Sequence, residues 1–197
     1  MGRPRGTTDE QILAAARRCF FERGVGVSAN EIAKELGASH TTLFNRFGSK
    51  EGLMIAALGP PQKVPWVAAL NAGPDERAVR VQLVEHSQVI ATYFRDLQRG
   101  LGLLQAAGID PSRAYARVDD EESQPVQAYR AFVGWLERAR ASGRLADCDI
   151  ETVASTILGS LHGFAFTARV CAPSTGPAAD ERFVERFIDV LWSGIGV

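Results

Sequence analysis

Apolar residues recur at spacings of three and four along most of this chain, and no stretch alternates with the period of two that a half-buried strand requires. The pattern predicts an all-α protein. Ile12, Leu13, Ala16, Cys19 and Phe20 make one stripe of a helix over 8–23, ended by Gly24. A second, short helix opens at Ser28, with Glu31 three residues on, the spacing at which the two residues cap each other's backbone N–H groups. Ile32, Ala33 and Leu36 give it an apolar face, and Gly37 supplies the left-handed residue that ends it. Ser39 caps a third helix, in which Leu43 and Phe47 lie four apart and point inward together. Ser49 caps a fourth, with Glu51 in its first turn and Leu53, Met54, Ala57 and Leu58 as its apolar side.

Gly59-Pro60-Pro61, with Pro65 close behind, stops that helix and marks the boundary between a head of residues 1–58 and a body of residues 59–197. In the body, Pro74-Asp75-Glu76 predicts the start of a helix reaching about Arg99, with Val79, Leu83, His86, Ile90 and Phe94 as its buried row. Leu101 to Ala107 is expected as a separate short helix ended by Gly108. The acidic run 119–122 ahead of Pro125 starts a helix over 125–141, ended by Gly143. A long apolar helix follows from Asp149 or Thr152 to about Cys171, then a loop at 173–177 and a last helix over about 179–193. Val153, Ile157, Leu158, Leu161, Phe164 and Phe166 make the first of these two apolar on most sides. Phe183, Phe187, Ile188, Val190, Leu191 and Trp192 do the same for the second. A helix apolar all round must be buried all round, and a single chain of this size has too little protein to cover both.

The short third helix is where chemistry concentrates. With Leu43 and Phe47 inward, His40, Thr41, Thr42, Phe44, Asn45 and Arg46 are left mostly outward. Two short helices joined by a tight turn form a helix-turn-helix, whose second helix enters the major groove of DNA and reads base edges from its N-terminal half. Thr methyls suit thymine methyl groups, and either imidazole nitrogen of His40 can engage a base edge or a phosphate. Asn30, on the preceding helix, is a further candidate for a base or phosphate contact. Arg46 and Lys50 suit phosphate oxygens, Lys50 beside the free N–H groups that open the fourth helix. Ser28 can add a phosphate bond besides capping, and Arg3 and Arg5 suit a minor-groove arm or simple phosphate neutralisation.

Ile32, Ala33, Gly37, Ser39, Thr42, Leu43, Phe47, Ser49, Lys50 and Leu53, with Gly2-Arg3-Pro4-Arg5 and Ile12-Leu13-Ala14-Ala15-Ala16 ahead of them, resemble the TetR family of transcriptional regulators over roughly the first 58 residues. Two positions depart from the family pattern: Phe44 stands where Tyr is usual, and cannot donate a hydroxyl to phosphate, while Arg46 stands where His is common. The early stop after the fourth helix is a further departure, since in the family that helix commonly continues as a connector to the body. The resemblance implies a homodimer in which the last two helices pair with their copies in a four-helix bundle. Such a pair sets two reading helices about 34–36 Å apart, one turn of DNA. It implies a repressor at a palindromic operator, released by a small-molecule effector bound in the body. Trp66, His86, Tyr93, Phe94, Phe132, Trp135, His162 and Phe166 are the aromatic and polar residues there that suit a pocket lining.

Composition narrows the alternatives. The net charge of −1 divides unevenly: residues 1–58 hold eight Lys and Arg against six Asp and Glu, and the remainder 14 against 17, so the basic excess lies with the helix-turn-helix. That excess is small, so tight binding needs two heads on one site. The apolar stretches are too short and interrupted to span a membrane, and no secretion signal opens the chain. Three scattered cysteines (Cys19, Cys148, Cys171) offer neither a disulfide framework nor a zinc site, which together point to the cytoplasm. His40, His86 and His162 are dispersed, with no nucleophile motif, metal-ligand spacing or phosphate-cradling glycine loop beside them. An enzyme, a metal and a cofactor are therefore not expected.

Overall fold

The computed structural model describes residues 7–61, 63–115, 123–171 and 177–195, and the regular elements among them are all helical. The chain divides into two compact units. One holds residues 1–61 and 99–117, the other 62–98 and 118–197.

The first unit is built on α1 (Asp9–Arg23), α2 (Ala29–Glu35), α3 (His40–Phe47) and α4 (Lys50–Leu58). Each begins behind a hydroxyl side chain: Thr8, Ser28, Ser39 and Ser49 accept the backbone N–H of Gln11, Glu31, Thr42 and Gly52. Ile12, Ala16, Cys19, Phe20, Ile32, Leu43, Leu53, Ala57 and Leu58 are buried at 2% exposure or less, so the apolar stripes read from the sequence do meet in one core. The end of α4 is closed by a cation from α1. Arg17 donates from Nε to the Ala57 carbonyl at 2.6 Å and from Nη2 to Gly59 O at 3.2 Å, giving partners to carbonyls that a helix end leaves unsatisfied.

The second unit contains α5 (Val67–Ala72), most of α6 (Val79–Ala106), α7 (Gln124–Ala141), α8 (Ile150–Cys171) and α9 (Pro177–Ile195). Its core gathers Leu83 and Ile90 of α6, Phe132, Trp135 and Leu136 of α7, Ile157 and Leu161 of α8, and Val184 and Ile188 of α9. Arg95 pairs with the buried Asp180, and Arg80 with Asp189, both tying α6 to α9. Burial pushes the Asp180 carboxyl above its ordinary range, against the pull of Arg95.

Three elements differ from the sequence reading. First, α6 begins at Val79 rather than Pro74, because side chains hold the preceding turn. Asp75 accepts from the Arg77 backbone and guanidinium, while Gln82 accepts from Asp75 N at 2.9 Å and donates to Arg77 O at 2.7 Å. Second, residues 101–107 are no separate helix: α6 runs unbroken through Gly100 and Gly102 to Ala106. Gly100 answers to packing, since a Cβ there would lie 2.2 Å from the Leu58 carbonyl oxygen. Third, α5 lies just past the 59–65 boundary, where the sequence predicts no element; it is six residues long and has no side-chain cap, yet Val64, Trp66 and Leu70 around it are buried. A short 3-10 turn at Pro111–Ala114, capped by Asp110 with Pro111 behind it, is also not predicted. The acidic run 119–122 and residues 172–176 lie outside the described residues.

Helix propensity and packing make opposite predictions for Gly100→Ala. Propensity alone favours Ala by about 1 kcal/mol. The contact is with rigid backbone, where overpacking costs about 1–3 kcal/mol, and it should win. The variant is expected to melt several degrees lower in a thermal scan; a higher melting temperature would contradict the packing assignment.

Candidate nucleic-acid interface

The reading surface is assembled by local hydrogen bonds before any tertiary contact is counted. At the start of α2, Ser28 donates to Glu31 Oε2 from its backbone N at 2.8 Å and from its hydroxyl at 2.6 Å, and accepts from Glu31 N at 3.2 Å. The Ser28 hydroxyl proton is thus directed at Glu31, although the sequence offered it to a phosphate. Those same bonds hold the Glu31 carboxyl below the usual range. The turn out of α2 is closed by Gly37 N on Lys34 O (3.2 Å) and Ala38 N on Ala33 O (3.0 Å), with Gly37 at φ 60°. That is the left-handed conformation in which glycine has no Cβ penalty.

Helix α3 then starts at His40. Leu43 is buried and Phe47 half-buried, while His40, Thr41, Asn45 and Arg46 are exposed and Thr42 and Phe44 half-buried. The rings of His40 and Phe44, one turn apart, lie 4.2 Å apart centroid to centroid, and the Thr42 hydroxyl sits 2.8 Å from Ser39 Oγ. Asn30 is exposed on α2.

Two cations expected at phosphates also hold protein acceptors. Lys50 Nζ donates to Val25 O at 2.8 Å, tying the start of α4 to the loop after α1. Arg46 Nη1 donates to Thr7 O at 2.5 Å and to Asp9 Oδ1 at 2.8 Å, joining the end of α3 to the start of α1. Sequence reading missed all three acceptors, which lie 25 to 39 residues away and leave no local signal. Glu35 on α2 pairs with Arg18 and Arg23 of α1 and accepts from the Cys19 thiol at 3.1 Å, so that buried cysteine packs within a polar clasp. Arg3 and Arg5 lie outside the described residues.

In the second unit the aromatic candidates fall into two groups and an outlier. Trp66 and Tyr93 meet edge-on at 6.2 Å, Tyr93 and Phe94 at 5.4 Å, and Phe94 and His162 at 5.1 Å. His86 meets Trp135 edge-on at 5.1 Å, and Phe132 and Trp135 are fully buried. Burial pushes the His86 imidazole below its ordinary value, favouring the neutral form. Phe166 instead faces outward at 46% exposure, with the Arg169 guanidinium 5.3 Å from its ring centre. The indole nitrogens of Trp66 and Trp135 and the Ser87 hydroxyl are buried without a hydrogen-bond partner among the described residues.

Residues 12–57, which take in most of α1 and all of the helix-turn-helix, match the family model described as bacterial regulatory proteins, tetR family. The chain is 30% identical over 117 residues to the HTH-type transcriptional repressor BdcR of Escherichia coli (strain K12), an alignment spanning 59% of each chain. It is 27% identical to the HTH-type transcriptional regulator RutR of Escherichia coli O157:H7 over 182 residues, 90% of this chain and 84% of RutR. The helix-turn-helix of this chain is thus of the TetR-family kind. Its fold agrees with a solved TetR-family regulator from Mesorhizobium loti MAFF303099 at TM-score 0.62 and 19% identity, over 96% of both chains. The family match ends at Ala57, one residue before α4 does, so the TetR-family likeness rests on the helix-turn-helix just described. No helix among the described residues is long and apolar enough to cross a membrane.

The Glu31 cap has a pH signature. Its carboxyl is held below the ordinary 4.5, so the stabilisation is fully present above that value and is lost as pH falls through the lower, folded one. In an NMR titration the Glu31 carboxyl and the Ser28 amide should shift together, with a midpoint below 4.5. A midpoint at or above it would mean that the capping box does not form in solution.

Proposed function

We propose that this TetR-family chain is a ligand-responsive transcriptional repressor, not an enzyme, acting in the cytoplasm. On this reading it binds a palindromic operator as a homodimer and is released by a small-molecule effector. The observation that carries the reading is α3, an eight-residue helix anchored by buried Leu43 that turns His40, Thr41, Asn45 and Arg46 outward. Residues 1–58 form the DNA-binding head. In it His40, Thr41 and Thr42 address base edges, with Phe44, Asn45 and Asn30 beside them, and Arg46, Lys50, Ser28, Arg3 and Arg5 address phosphates and the adjoining groove. Arg46 and Lys50 each carry more N–H groups than their internal bonds use. The repressor sense is supported by the name of BdcR.

Residues 59–197 form the body. Homodimerisation is supported by apolar surface left on the last two helices: Phe166 and Val170 of α8 are 46% and 56% exposed and Val190 of α9 is 76% exposed. Phe183 and Phe187 of α9 stack in a half-buried row with Phe164 of α8. An effector site is supported by the unpartnered indole N–H groups of Trp66 and Trp135 in an aromatic core, because a buried donor left unmatched costs about 1–3 kcal/mol. An acceptor group on a ligand would remove that cost. Tyr93, Phe94, Phe132, His86 and His162 are the neighbours such a ligand would meet, and Phe166 the most peripheral.

Mobility shifts with the promoter DNA beside its own gene test the reading. A complex at low salt is expected, and light scattering should report two chains. Lys50→Ala should weaken binding to every sequence and lower the salt slope by about one, whereas Thr41→Ala should change sequence preference. No shift with folded dimer would defeat the regulatory reading. Equal losses on all sequences from both variants would point instead to an architectural, non-specific DNA-binding protein.

A further inference from the structure

The link between Arg46 and Asp9 assigns a role to a residue that carries the wrong charge for DNA. We propose that Asp9 is a positioning residue: it orders the Arg46 guanidinium so that its outer edge meets a DNA phosphate. This rests on the DNA-binding reading of α3.

Arg46 stands in the last turn of α3, where a cation is favoured by the helix dipole, and Asp9 stands in the first turn of α1, where an anion is favoured. Both bonds to the protein leave from one nitrogen, Nη1, which donates to Thr7 O at 2.5 Å and to Asp9 Oδ1 at 2.8 Å. That fixes the guanidinium plane. Nε and Nη2 form the opposite, side-on edge, whose parallel N–H groups match two oxygens of a phosphate. The Arg46 side chain is about one-third exposed and Asp9 two-thirds, so neither is enclosed and the pair stands at the surface beside His40 to Asn45.

Asp9 exerts two opposite effects on a phosphate held by Arg46. Its charge repels the phosphate, but at one guanidinium's distance through water and salt that repulsion is heavily screened. It also restricts beforehand an arginine whose several rotors would otherwise have to be ordered on binding. Ordering outweighs screened repulsion here, because Thr7 O and Asp9 together hold the plane and not merely the position of the charge. The prediction is counterintuitive for a DNA-binding surface, where deleting an acid normally helps.

The test measures anisotropy of the full-length protein on a labelled mixed-sequence duplex at low salt, since phosphate contacts do not depend on sequence. Asp9→Ala should bind about fivefold more weakly, with a salt slope reduced by up to one, and Asp9→Glu should recover part of the loss. In an Arg46→Ala background the same change should cost nothing or slightly tighten binding, the sign reversing because only the repulsion is left. Asp9→Asn provides a second variant, and unchanged melting temperatures for both check that the head stays folded. Tighter binding by Asp9→Ala in the parent, or losses that multiply in the double variant, would overturn the proposal while leaving DNA binding intact. Failure of the unaltered chain to bind any duplex would remove both.

Discussion

An eight-residue helix cannot persist in water by itself, because its few internal hydrogen bonds do not offset the cost of nucleating it. Whatever α3 does therefore depends on Leu43, the one fully buried side chain it sends into the first unit. Around that anchor the ends are fixed chemically: Ser39 satisfies the Thr42 N–H at the start, Gly48 turns the chain at the finish, and Arg46 joins the last turn to α1. With Leu43 buried and Phe47 half-buried, α3 keeps His40, Thr41, Asn45 and Arg46 exposed. A longer helix would have held itself together with more of its own surface.

What was legible in the sequence was what acts over three or four residues. The three serine caps of α2 to α4, the Ser28–Glu31 pair and the stripes from Ile12 to Leu58 follow from spacing alone, and the structure repeats them, while the Thr8 cap of α1 emerges only with the structure. Gly100 shows the limit. Read locally, glycine in an apolar helix marks a break, but here it marks the place where the α6 backbone meets the Leu58 carbonyl, a fact held 42 residues away. The same holds for Arg46 with Asp9 and Lys50 with Val25: the cation is visible in the sequence, the acceptor is not. For α5 the reason differs, because six residues without a cap fall below the length at which periodicity can be told from chance.

In the second unit residue type was a poorer guide than in the first. Eight aromatic and imidazole side chains suit a ligand by residue type. The structure separates them by depth, from Phe132 and Trp135 with no exposure to Phe166 on an outer face of α8. Depth depends on which side of a helix a residue occupies, and on α8 nearly every side is apolar, so the pattern could not choose. The buried indole N–H groups of Trp66 and Trp135, without an acceptor among the described residues, are the more informative feature, and no sequence pattern announces them.

Charge shows how a fold can sharpen a sequence-level quantity. Residues 1–58 carry eight cationic and six acidic side chains, a thin basis for attraction to DNA. The compact first unit also takes in residues 99–117, which add Arg99, Arg113 and Arg117 against Asp110 alone, so it holds eleven Lys and Arg against seven Asp and Glu. The remainder then holds eleven against sixteen. Several of the acids in the first unit are committed to internal donors: Asp9 to Arg46, Glu31 to Ser28, Glu35 to Arg18 and Arg23, and Glu51 to Arg113. Acids engaged in this way shape the protein more than they repel a polyanion. On the proposed reading the first unit's charge favours DNA and the second unit's opposes it. Long-range fields of this kind govern orientation and association rate more than final affinity, and on the proposed reading specificity falls to the side chains that α3 holds outward.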